Sequence, residues 1–84
     1  MKHATSATLE TLSELLAQIR VKGGLKERKL GVFYRKSRSF LHFHEDPAGL
    51  FADLTVGDGF DRYPVNTQSE WRALLSAIDD VLSP

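Results

Sequence analysis

Three residues of this chain have the types and spacing for metal chemistry: His42, His44 and Asp53. Side chains alternate across a strand, so His42-Phe43-His44 sends both imidazoles to one face. Neutral imidazole is a good ligand for zinc or copper, and a facing carboxylate can bind the ion directly or orient a ring. A His-x-His pair alone is a common pattern. A His42–Asp53 cross-strand polar pair, worth about 0.2–1 kcal/mol, accounts for the same residues without an ion. Glu45 points to the opposite face and Asp46 belongs to a turn, so neither adds a ligand.

Other chemistries find less support. No nucleophile elbow is present, and Ser37 and Ser39 are turn residues. Gly57-Asp58-Gly59 precedes a strand rather than a helix, which excludes a phosphate loop. A flat sheet face offers little of the concavity that shifts catalytic pKa values. Catalysis is therefore not the expectation, and the sequence calls for no cofactor.

The elements that must hold these residues can be read from hydrophobic periodicity. Leu9, Leu12, Leu15, Leu16 and Ile19 form one helical stripe, which predicts a helix over 8–21 stopped by Gly23-Gly24. Thr67-Gln-Ser-Glu70 is a capping box opening a second helix over 68–82, with Trp71, Leu74, Leu75, Ile78 and Leu82 buried. Between them the period falls to two, and strands are predicted at Lys29–Lys36, Phe40–Glu45, Leu50–Val56 and Phe60–Val65. The turns at Ser37-Arg38, Asp46-Pro-Ala-Gly49 and Asp58-Gly59 are short enough to demand antiparallel hairpins. The predicted class is α+β: a single domain over 1–84, an α-β-β-β-β-α two-layer sandwich with a meander sheet and both helices on one face.

Turn chemistry then predicts register. A type I turn at Asp46-Pro47-Ala48-Gly49 pairs Glu45 with Leu50, Phe43 with Ala52, Leu41 with Leu54, His42 with Asp53 and His44 with Phe51. The Asp58-Gly59 turn sets Leu54 against Tyr63 and Thr55 against Arg62, and the Ser37-Arg38 turn sets Tyr34 against Leu41 and Val32 against Phe43. The core face would then carry Leu30, Val32, Tyr34, Leu41, Phe43, Leu50, Ala52, Leu54, Val56, Tyr63 and Val65. The helix-free face would carry Phe33, Arg35, Phe40, His42, His44, Phe51, Asp53 and Arg62 as a binding face.

An aromatic, partly basic face of this kind suggests partners. The leading expectation is a non-catalytic binding or self-association module, a homodimer stacked through this face, unless the N-terminal segment covers it. One alternative is single-stranded nucleic acid, with Phe33, Phe40 and Phe51 stacking bases beside Arg35, Arg38 and Arg62. The other is a metal held by His42, His44 and Asp53.

Composition bounds these readings. With 84 residues, 42% hydrophobic and 26% charged, the chain is an ordinary globular domain in which nearly every large apolar side chain must serve the core. It has no cysteine, which excludes disulfides and thiolate metal sites and fits a reducing cytoplasm. No apolar run approaches the ~20 residues that span a bilayer, so no membrane partner is expected. The formal charge is zero but uneven: residues 20–38 hold eight basic residues against Glu27 alone (net +7), and residues from Ser39 onward are net −6. A basic segment can mark a phosphate-binding patch; with neutral overall charge, a solvated loop and an edge strand guarded by lysines is the favoured account.

Phe33-Tyr-Arg-Lys-Ser, Phe40-Leu-His-Phe-His-Glu-Asp and Gly49-Leu-Phe-Ala-Asp-Leu54 together resemble the pattern of small bacterial single-domain proteins without an assigned activity. That resemblance spans most of the chain and implies no binding residues. The element order also resembles the double-stranded-RNA-binding domain, but Gln68-Ser-Glu-Trp71 stands where that family carries a lysine cluster. Helices flanking an antiparallel sheet are similar to the frataxin-like fold as well, without frataxin's acidic first helix.

Overall fold

The computed structural model describes residues 1–83. Its elements run β1 (Lys2–His3), α1 (Ser6–Thr11), α2 (Ser13–Arg20), β2 (Lys26–Lys29), β3 (Val32–Arg35), β4 (Arg38–Asp46), β5 (Gly49–Val56), β6 (Gly59–Pro64) and α3 (Gln68–Leu82). Strands β2 to β6 form an antiparallel meander, and β1 pairs with β4. The α+β class and the meander stand as the periodicity predicts.

The predicted first helix is two. Thr5 caps α1 by accepting the Thr8 amide, and the helix path breaks at Leu12, with φ −104° and ψ 15°. The Thr11 hydroxyl donates to the Thr8 carbonyl at 2.6 Å, the local side-chain competition that bends helices. The apolar stripe survives the break, and Leu9, Leu12, Leu15, Leu16 and Ile19 all enter the core. For α3 the capping box forms as read: the Thr67 hydroxyl accepts the Glu70 amide while the Glu70 carboxylate accepts the Thr67 amide. Leu74 and Ile78 of α3 meet Leu41, Phe43, Ala52 and Leu54 of the sheet in the same buried cluster. The helices therefore share one face of the sheet.

The β4–β5 hairpin has the predicted register at every pair, from Leu41–Leu54 to Glu45–Leu50, extended by Asp46–Gly49. The Asp46 carboxylate accepts the Ala48 amide at 3.0 Å and fixes the turn. Across β5 and β6 the register shifts by two residues. Gly57 takes a positive φ of 58°, the turn centres on Gly57-Asp58, and Asp53 lies opposite Arg62 and Ala52 opposite Tyr63. A shift of two preserves the faces.

The first predicted strand is wrong in both extent and facing. Residues 26–35 form a separate β2–β3 hairpin that turns at Leu30-Gly31. The β3–β4 turn falls at Lys36-Ser37, both at positive φ (51° and 75°), rather than at Ser37-Arg38. Arg35 then pairs with Arg38 and Phe33 with Leu41, and Phe40 is the extra residue of a β-bulge between Ser39 and Leu41. The slip of one residue turns Phe33 inward to 1% exposure, and the bulge buries Phe40 beside Leu41 at 3%. Leu30 and Val56, expected in the core, are exposed.

Candidate metal centre

Of the predicted binding face, His42, His44, Phe51, Asp53 and Arg62 remain on the helix-free side. Phe33 and Phe40 are corrected to the core. Arg35 follows Phe33 toward the helices and donates Nη1 to the Val81 carbonyl of α3 at 3.4 Å. The aromatic platform behind the stacking and dimer expectations is thereby reduced to half-buried Phe51 and to exposed Phe60, on whose ring Arg62 rests at 5.4 Å.

The histidines gain a member instead. β1 pairs Lys2 with Glu45 and His3 with His44, so His3 joins the same face, and all three histidines of the chain meet there. The His3 and His44 rings stack at 5.0 Å between centroids, and the His42 and His44 rings meet edge-on at 4.7 Å. One ligand nitrogen from each lies within 4.8 Å of the others. Sequence reasoning missed His3 because two residues carry no periodicity. The available signal was its residue type.

Glu45 explains why so short a strand docks. On the helix side of the sheet its carboxylate accepts the Thr8 hydroxyl and the Thr5 amide and pairs with Lys2 at 3.3 Å. These donors, Thr8 foremost, hold the Glu45 carboxyl below its usual range against the opposing effect of desolvation. The Ala4 amide donates to the Phe43 carbonyl at 3.1 Å. One carboxylate thus ties the start of α1 and β1 to β4 and sets His3 over His44.

Asp53 is present but not as a free ligand. Its two carboxylate oxygens accept from Arg62 Nε and Nη2 at 2.7 and 2.9 Å. Burial opposes ionisation of this side chain, which is only 5% exposed, but Arg62 and the two histidines together hold its pKa below the usual range. His44 Nε2 stands 3.0 Å from Asp53 Oδ2. Asp53 is therefore engaged by Arg62 beside His44, and the third member of the close group is His3.

The cluster leaves polar atoms without partners. His42 Nδ1, His44 Nδ1 and His44 Nε2 are buried and accept or donate no aligned hydrogen bond. Burial above all, and then the neighbouring His44, push the His42 pKa down, so the ring favours the neutral form that ligates metals. Three nitrogens on a tetrahedral zinc ion at about 2.1 Å stand about 3.4 Å apart. The three nitrogens here lie within 4.8 Å of one another, and His3 is the exposed member. Among the described residues no helix is long and apolar enough to cross a membrane. No family model, curated protein or solved structure matches the chain.

Proposed function

We propose that this domain binds a late first-row divalent ion, zinc in the first instance, through His3, His42 and His44. The observation that carries the reading is the convergence of three imidazoles, in which His42 Nδ1 and His44 Nδ1 are buried without a hydrogen-bond partner. An all-nitrogen set suits zinc, copper or nickel and disfavours magnesium or calcium, which prefer oxygen. Asp53 supports the site from outside. Asp53 Oδ2 stands 3.0 Å from His44 Nε2 and accepts its proton once the ring turns into line, which leaves Nδ1 as the lone pair for the ion and raises ligand basicity. Three protein ligands leave a fourth position for water or an exchangeable ligand.

Calorimetric titration with zinc, paired with ring-signal NMR, tests this. One ion per chain is expected, with signals of all three histidines perturbed together, and His42→Ala or His44→Ala is expected to remove the binding. Zinc binding that survives both substitutions, or no binding by the intact chain near neutral pH, would refute the reading.

A further inference from the structure

A second site follows from the other side of His3. β1 and β3 lie end to end along one edge of β4, because β5 occupies the opposite edge throughout. Between β1 and the β2–β3 turn this leaves a cleft of about 520 Å³, within the size range of small-molecule sites. Leu9 and Phe43 form its apolar floor, Tyr34 and His3 stand in its wall, and Arg28 and Lys29 stand on its rim.

The charge of this rim is unbalanced. Glu27 is the single acid in the basic segment, and it is fully engaged: it accepts Arg20 Nε at 2.5 Å, Arg20 Nη2 at 3.0 Å and the Gly31 amide at 2.8 Å. Among the described residues neither Arg28 nor Lys29 has a carboxylate within ion-pair distance. The Arg28 guanidinium lies 4.9 Å from the centre of the Tyr34 ring, which steadies it over the cleft. The turn that follows both cations is seated firmly. Gly31, at φ +74°, packs so closely on Leu9 that an added Cβ would come within 2.8 Å of it.

We infer that this cleft binds a small organic anion, its apolar body on Leu9 and Phe43 and its carboxylate or phosphate head held by Arg28 and Lys29. A cationic rim around an apolar floor selects a ligand with both features. A bare inorganic anion forfeits the floor, and a neutral ligand forfeits the rim. The cleft needs no metal, although His3 borders both sites.

The test uses the full chain freed of metal with a chelator and follows amide signals during titration with phenyl phosphate, benzoate, inorganic phosphate and benzyl alcohol. Phenyl phosphate, benzoate or both are expected to shift Leu9, Gly31 and Tyr34 saturably, and their relative affinity identifies the head group. The double variant Arg28→Ala/Lys29→Ala, altered only at exposed positions, is expected to weaken binding by roughly tenfold or more. Lys36→Ala, outside the cleft, is expected to leave it unchanged. The inference is overturned if neither organic anion binds saturably or if the double variant binds as well as the parent. It is equally overturned if benzyl alcohol matches benzoate or inorganic phosphate matches phenyl phosphate. A chain that takes zinc but none of these probes loses this site alone, and the reverse result loses only the metal centre.

Discussion

The two edges of β4 are built differently. Along one, β5 pairs without interruption from Leu41–Leu54 to Asp46–Gly49. Along the other, β3 pairs with the first half, through a bulge at Phe40, and β1 pairs with His44 and Glu45. The continuous edge holds His42, His44 and Asp53 in one rigid ladder, with Arg62 following on β6. The interrupted edge contributes His3 on a two-residue strand and leaves the cleft between its two pieces. An unbroken ladder suits the fixed part of a site, whereas a broken edge makes room for a ligand and supplies a group that can adjust.

Substitutions on each edge can break or sharpen this contrast. The largest effect is expected at the rigid edge. Asp53→Asn should weaken zinc binding by about 10–100-fold, the usual consequence of losing an orienting carboxylate, as read by calorimetry. Unchanged affinity would mean that the ladder aims no ligand. At the interrupted edge, Gly31→Ala should lower stability by roughly 1–2 kcal/mol in chemical denaturation, because the added Cβ meets Leu9 and the left-handed backbone disfavours it. Zinc affinity should not follow it. Glu45→Ala touches no ligand but releases the Thr8, Thr5 and Lys2 contacts. It should speed amide exchange at His3 and Ala4 and weaken zinc binding on the order of tenfold or less by loss of preorganisation. Protection within β4–β5 should persist, and its collapse would show that the two edges do not behave separately.

The smallest effect is a pH dependence of the metal-free protein. The pKa of His42 is lowered in the fold, so the unfolded chain takes a proton that the folded chain refuses. Its contribution is fully present above the unfolded value of about 6.5 and is lost as pH falls through the lower folded value. Asp53, also lowered, adds a separate loss only in the acid range below about pH 4. Thermal melts across pH 7.5 to 5 should show the first decline, and His42→Gln should flatten it.

The hairpins differ in how far residue chemistry constrains them. Asp46-Pro47-Ala48-Gly49 admits one turn, and the register of five predicted pairs followed from it. At Lys36-Ser37 both residues adopt positive φ, a conformation that Asn-Gly would announce and Lys-Ser does not. The turn lies one residue earlier than the side chains suggest, a shift of two in register that alone would keep the faces; the extra residue at Phe40 makes the net slip one, and a slip of one reverses β3. The bulge is what carries Phe33 and Arg35 to the helix side. The bulge misled at Phe40, because alternation alone cannot reveal an extra residue. At β5–β6 the error was two residues, which kept the faces but hid the opposition of Asp53 and Arg62.

By itself, the sequence determined the helical stripes, the capping box of α3, the α+β order and the placement of His42, His44 and Asp53 on one face. Each depends on local periodicity or on a turn whose side chains admit one geometry. Tertiary structure decided that His3 completes the cluster, that Arg62 clamps Asp53 and that a cleft opens beside β1. Those outcomes depend on contacts between residues far apart in the chain, such as Thr8 with Glu45, about which neither residue's neighbours carry information.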